Sequence, residues 1–284
     1  MAGKPNRSSR TTKRTRTQRS RVRGDPGLAG ALEEIERVLA TPLVELMDSE
    51  EEREHARELT RQANVAPALM RFRELLVFVG EGRRATQAGK LTPTDAIALA
   101  SSLGAPGVAG VEVRSMEDLP DVAHLFHWAV AADLLTARGM RILPGDWAEE
   151  LVRDPLSAWF KAATTLLDHG LLDGFRRGWR KQYVEFLDAG VPFLLSAILN
   201  AGGEAPVAAI DELVWERVAD AYSYQLDDAA ERRHVDRLVQ GIFAQLADLG
   251  AAQHIDQGVR LTELGGALAA AASAVIDNDD ELLE

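Results

Sequence analysis

Cysteine is absent from this 284-residue chain. That excludes a disulfide framework, a thiolate metal site and a cysteine nucleophile. Long apolar runs are missing as well: none approaches the roughly 20 residues that a membrane span needs. The N-terminus is basic, but no apolar stretch follows it as a secretory signal requires. A cytoplasmic protein with no membrane partner is expected. Acid is missing from the first 24 residues, which hold Lys4, Arg7, Arg10, Lys13, Arg14, Arg16, Arg19, Arg21 and Arg23. Of 32 cations that leaves 23 against 44 acids, a net −21 for residues 25–284. The same segment has one Val and no Leu, Ile or aromatic residue, so it cannot bury a core. Residues 1–27 are therefore expected to form a disordered basic tail. Arg14, Arg16, Arg19 and Arg21 would suit binding to phosphates by counterion release. The plainer alternative is a solubilising tail, or one that folds back on the acidic body.

What remains has the composition of an ordinary soluble protein, with 46% apolar and 27% charged residues. Helical periodicity dominates. Leu28, Leu32, Ile35, Val38 and Leu39 form one stripe, and a second helix is expected over Leu43–Ala63. Its acidic run "DSEEERE" (48–54) reads as a solvated face or as a seat for a basic segment. Together they make an N-terminal helical segment, 28–66.

From residue 67 one order of elements occurs twice. In the first unit (67–154) a helix over 66–80 is followed by one over 91–104, with Thr92 as N-cap, Pro93 at its first position, Asp95 at capping-box spacing and Gly104 at its end. A third helix is expected over 115–135, capped by Ser115 and Asp118. A strand, a glycine turn, a second strand and a helix capped by Asp146 and Glu149 come next. Linking helices occupy 155–190. The second unit (191–275) has helices over 191–203, 206–222 and 230–250, then a strand, a turn at Gln257–Gly258, a strand and a helix capped by Thr262. Residues 276–284 form an acidic tail. Three helices followed by a two-stranded wing is the order of a winged helix-turn-helix. The expected fold is thus mainly α with small β-wings, as tandem winged-helix-like units.

The strings "LLVFVGEGRRATQAGKLTPTDAIALASSLG", "VRSMEDLP", "HWAVAADLL", "RDPLSAWFKA" and "VDRLVQGIFAQLADLGAAQHIDQGVRLTELG" resemble an uncharacterised family of actinobacterial proteins. Some of its members carry the region beside a plasmid open-reading-frame-three-like domain. The resemblance covers about residues 67–270. Where that family shows Leu-Thr-Gln-Thr-Gly, this chain has "ATQAG" (85–89), so Ala85 and Ala88 depart from it. The resemblance implies the fold and carries no activity.

Little enzyme chemistry is visible. Gly82 and Gly89 are six residues apart and Leu91 follows Lys90, so the spacing of a phosphate-binding P-loop is not met; a turn into the next helix is expected. Asp121, His124 and His127 share one helix face, an arrangement that could offer metal ligands. The stretch lacks a His-Glu-x-x-His signature, and core or surface histidines are the simpler reading. No nucleophile elbow is found. We expect no enzyme, cofactor or metal.

The stretch "GFRRGWRKQY" (174–183) concentrates cations in an acidic body. Phe175, Trp179, Tyr183, Phe186 and Leu187 fall along one side of an expected helix and read as core. Arg176, Arg177, Arg180 and Lys181 fall on a neighbouring side, where they can track a phosphate backbone or stay solvated and pair with acids. In the second unit, Arg232, Arg233, Arg237 and Gln240 on the third helix and Arg260 on the wing are suited to contact DNA. Against them, residues 206–275 hold five cations and eleven acids. The third helix of the first unit begins with Glu117, Asp118 and Asp121 and meets no cation before Arg138, so that unit is not expected to read DNA. Two functions follow: a DNA-associated regulatory or accessory protein, involved in transcription and binding nucleic acid non-specifically, or an adaptor whose acidic surfaces bind a protein.

Overall fold

The structure, a computed structural model, describes residues 49–105, 112–172, 181–222 and 229–281. The basic tail, the helix expected at Leu28–Leu39 and most of the "GFRRGWRKQY" stretch lie outside the described residues. Everything described falls in one compact unit, Pro42–Glu284. It is mainly helical, with two small antiparallel sheets. Among the described residues no single helix is long and apolar enough to cross a membrane.

Helix α1 (Glu50–Val65) starts at a capping box: the Glu52 amide donates to the Ser49 hydroxyl and the Ser49 amide to the Glu52 carboxylate. Its acids serve the helix itself, since Glu50 pairs with Arg53 and Arg57, and Glu54 with Arg57. Two runs of helix, strand, helix, helix, strand, strand follow. The first comprises α2 (Pro67–Val79), β1 (Arg83–Arg84), α3 (Pro93–Ser102), α4 (Pro120–Ala131), β2 (Leu135–Arg138) and β3 (Arg141–Pro144). A short helix α5 (Glu150–Arg153) and α6 (Pro155–His169) lead on. The second run comprises α7 (Lys181–Asn200), β4 (Glu204–Pro206), α8 (Val207–Tyr222), α9 (Ala229–Asp248), β5 (Ala252–Ile255) and β6 (Gly258–Leu261), and α10 (Glu263–Glu281) ends the described chain. The sheets have matching strand orders, β1-β3-β2 and β4-β6-β5.

Several expectations are corrected. The helix expected over 115–135 is a single 3-10 turn, Met116–Asp118, broken at Leu119 before α4 starts at Pro120. Proline has no amide to donate and pushes its predecessor out of helical geometry. Asp146 and Glu149 cap nothing: α5 begins at Glu150 and receives no side-chain cap bond. The helix expected from Val191 is the second half of α7, which bends by 45° between Ala189 and Val191, beside Pro192. Pro206 ends β4, an edge strand, where a missing amide is tolerated. The second hairpin turns at Asp256–Gln257, one residue earlier than expected. The acid-rich stretch 276–281 continues α10. Both first strands, β1 and β4, were not foreseen.

One apolar core joins the two runs. The Trp128 indole of α4 donates to the Ala162 carbonyl of α6 (2.9 Å), and the Trp159 indole of α6 donates to the Leu249 carbonyl after α9 (2.6 Å). Arg71 of α2 forms an ion pair with Asp248, and His124 of α4 lies 3.1 Å from the Gln245 amide oxygen of α9.

Thr262 caps α10 by accepting from the Gly265 amide (3.1 Å) while donating to the Gly250 carbonyl (2.7 Å). A Cβ at Gly265 would fall 1.9 Å from the Ala251 carbonyl oxygen, whereas one at Gly266 would meet nothing within 4 Å. Gly265→Ala should therefore cost roughly 1–3 kcal/mol by forcing backbone apart. Gly266→Ala should be neutral or gain about 0.5–1 kcal/mol from helix propensity. Urea titrations of the two variants check the contrast between adjacent residues.

Candidate nucleic-acid interface

The cations named from sequence fare unequally. Arg14, Arg16, Arg19, Arg21, Arg176, Arg177 and Arg180 lie outside the described residues, and of Lys181 only the backbone, at the start of α7, is described. On α9, Arg232 donates to the Glu212 carboxylate (2.5 Å), and on β6 Arg260 donates to Glu204 through Nε and Nη2 (2.9 and 2.8 Å). Glu204 and Arg260 are direct cross-strand partners. Arg233, Arg237 and Gln240 are exposed on the solvent side of α9, whose opposite side buries Val235, Leu238, Val239 and Ile242. The Arg237 Nε leans on the Arg233 carbonyl at 3.2 Å.

Beside that face lies a strained electrostatic cluster. Asp211 of α8 and Asp236 of α9 each have a buried carboxylate oxygen without a hydrogen-bond partner. Burial, and then the charge of Asp236, push the Asp211 carboxyl up to about 6, while Arg232 opposes the shift. Asp236 is pushed upward too, chiefly by burial, with Arg232 opposing and Glu212 adding. The fold thus favours neutral Asp211. Its contribution to stability is complete below the ordinary aspartate value near about 4 and is lost as pH rises through about 6. Asp211→Asn should melt with the wild type at about pH 4 and above it by about pH 7. Thermal melts over that range test this; a gap that stays constant with pH would remove the coupling.

The first run offers a different surface, which sequence reasoning passed over. Strand register sets Arg84 opposite Arg141, and Arg141 opposite Arg138. Three arginines therefore stand side by side across one face of the sheet, all of them exposed. Buried Ile142 and Leu135 belong to the other face. Arg141 donates to the Glu81 backbone carbonyl (3.3 Å), and among the described residues none of the three pairs with a carboxylate. Directly opposed like charges oppose sheet formation. The corresponding row of the second sheet is Pro206, Gly258 and Ile255. The same backbone row thus forms without any charge, so the fold does not require the arginines. Arg138 and Arg141 flank a two-residue turn and could have been paired from sequence; Arg84 could not, because β1 is only two residues long.

Helix α4 of the first run is covered. Val122, Ala123, Leu125, Phe126, Trp128 and Ala129 are buried. Glu117 beside it accepts from Lys90 (2.5 Å) and lies 3.0 Å from His127, and Lys90 first of all holds its carboxyl below the usual range. His127 faces Glu117 while His124 faces Gln245, and Asp121 is exposed. Among the described residues no group of His, Asp and Glu is arranged to hold a metal. The "ATQAGK" stretch closes a turn: the Thr86 amide donates to the Lys90 carbonyl (2.8 Å), and Ala85 is buried against the core.

In comparisons with known protein families, curated proteins and solved structures, the chain matches none.

Proposed function

We propose that this chain is a non-enzymatic, DNA-associated regulatory or accessory protein built from two winged-helix-like units, and that the kinship suggested by its sequence strings belongs to the same reading. The observation that carries it is the arginine row of the first sheet. Three arginines in register, free of carboxylates among the described residues, concentrate positive charge that suits a phosphate backbone better than the acidic remainder does. The exposed Arg233, Arg237 and Gln240 face of α9 offers a second contact, and the basic tail a third. Large exposed apolar residues, which a protein partner would favour, are absent from α9 and from the second sheet among the described residues. In the first unit the sheet, rather than the covered α4, is the contacting element. From sequence, this unit is not expected to read DNA; in the present proposal its sheet meets the phosphate backbone.

Fluorescence anisotropy on a mixed-sequence duplex across a salt series tests the reading. The triple variant Arg84→Gln, Arg138→Gln and Arg141→Gln should bind more weakly. Its log K against log salt slope should be shallower by about 2–3, near one per lost phosphate contact. The same variant should melt no lower than the wild type, since opposed like charges have been removed. Deleting residues 1–24 should lower affinity independently. Undiminished binding by the triple variant would dismiss the row. Absence of binding at low salt would favour the protein adaptor.

A further inference from the structure

The bend in α7 opens a cleft that the nucleic-acid reading does not use. Its volume is about 300 Å³, and Phe186, Leu187, Phe193, Leu213, Val214 and Ile242 line it, drawn from α7, α8 and α9. Three features set it apart from a packing defect. Gly190 lines it at the bend, and a Cβ there would meet nothing within 4 Å, so the backbone itself faces open space. Phe193 is 39% exposed, a large apolar side chain held at the rim. Arg217 lines the same rim with its guanidinium carbon 3.7 Å from the centre of the Phe193 ring. Among the described residues no carboxylate pairs with Arg217, although this body carries a large excess of acid.

An apolar recess with a single unneutralised cation at its mouth has a defined complement. Apart from Arg217 the lining side chains are all apolar, so a sugar, nucleotide or peptide would leave most of its polar atoms unpaired there. The guanidinium offers paired N–H donors to one carboxylate and stays planar over the ring, which fixes its direction. We infer that this cleft binds a small amphipathic carboxylate, aliphatic or aryl-alkyl, with its chain between α7 and α8 and its carboxylate on Arg217. A volume at the small end of ligand pockets suits a molecule on the order of ten carbon atoms. The inference is independent of the proposed DNA contact.

Decanoate and 4-phenylbutyrate serve as probes, with 1-decanol as the uncharged control. Isothermal titration and thermal melts would be run on the full chain, on Arg217→Gln and on Gly190→Leu. Decanoate should bind the wild type saturably at one site and raise its melting temperature. Arg217→Gln should weaken decanoate by about tenfold or more, the worth of a charge-assisted hydrogen bond, while leaving decanol unaffected. Gly190→Leu should fill the recess and abolish binding of both, and should melt no lower than the wild type because helix propensity improves. Equal decanoate binding by all three proteins, or only unsaturable partition, would overturn the proposal. So would a wild type that excludes decanoate because a second copy already covers Phe193 and Arg217, which solvent-accessibility labelling of the free protein would detect.

Discussion

Helix α6 is the element on which the rest of the arrangement depends, and its hold is two tryptophan indoles. Trp159 is fully buried. An indole buries on the order of 150–250 Å² of mostly apolar surface, yet its N–H must find an acceptor. An unpaired donor at that depth would cost roughly 1–3 kcal/mol. The acceptor is the Leu249 carbonyl, just past the end of α9, where no intrahelical amide remains to satisfy it. One bond thus answers two needs from elements 90 residues apart. One turn further along α6, Trp128 places its N–H on the Ala162 carbonyl and packs edge-on against Phe72, with ring centres 4.8 Å apart. The two runs are therefore welded through α6 rather than strung on a linker.

That weld decides which surfaces remain. It draws α4 inward against α6 and α9, so its residues serve the core on several sides. Each sheet spends its inner face on buried residues, Ile142 in the first and Val259 in the second. What differs is the outer face. Where the second sheet pairs its surface cation with an acid, Glu204 with Arg260, the first leaves three guanidiniums facing water. At high dielectric the mutual repulsion of such groups at about 4 Å is only about 1 kcal/mol per pair. The body tolerates that, and an arriving polyanion would turn it into attraction.

Much of the architecture could be read from capping chemistry. Thr92 with Asp95 and Thr262 with Gly265 sit where Thr, Pro and Gly patterns put helix ends, and both local bonds form. Local signals failed where distant residues decide. Strands of two and three residues carry no periodicity, so β1 and β4 exist only because β3 and β6 supply partners. The Gly190–Val191–Pro192 step looks like a helix boundary, yet α7 runs through it because Tyr183, Val184 and Leu187 before it and Leu194, Leu195 and Ile198 after it are buried in one core. The arginine row was half legible, through the turn that joins Arg138 to Arg141. The pairing of Arg232 with Glu212 needed the approach of α9 to α8.

Comparison of the two runs separates what folding requires from what it permits. Ile142 and Val259 hold equivalent places in the two sheets, and both are apolar and buried. The residue after each third helix that takes a positive φ is Asp133 in the first run (58°) and Gly250 in the second (71°). The conformation is retained though only one copy has the residue that adopts it at no cost. Asp133 meets that strain with a short polar side chain that also reaches Lys161 of α6 (3.3 Å). The outward row differs between the two: Arg84, Arg141 and Arg138 stand where the second run has Pro206, Gly258 and Ile255. A charged row that the second run dispenses with, and whose like charges oppose each other across the strands, is not something this fold requires.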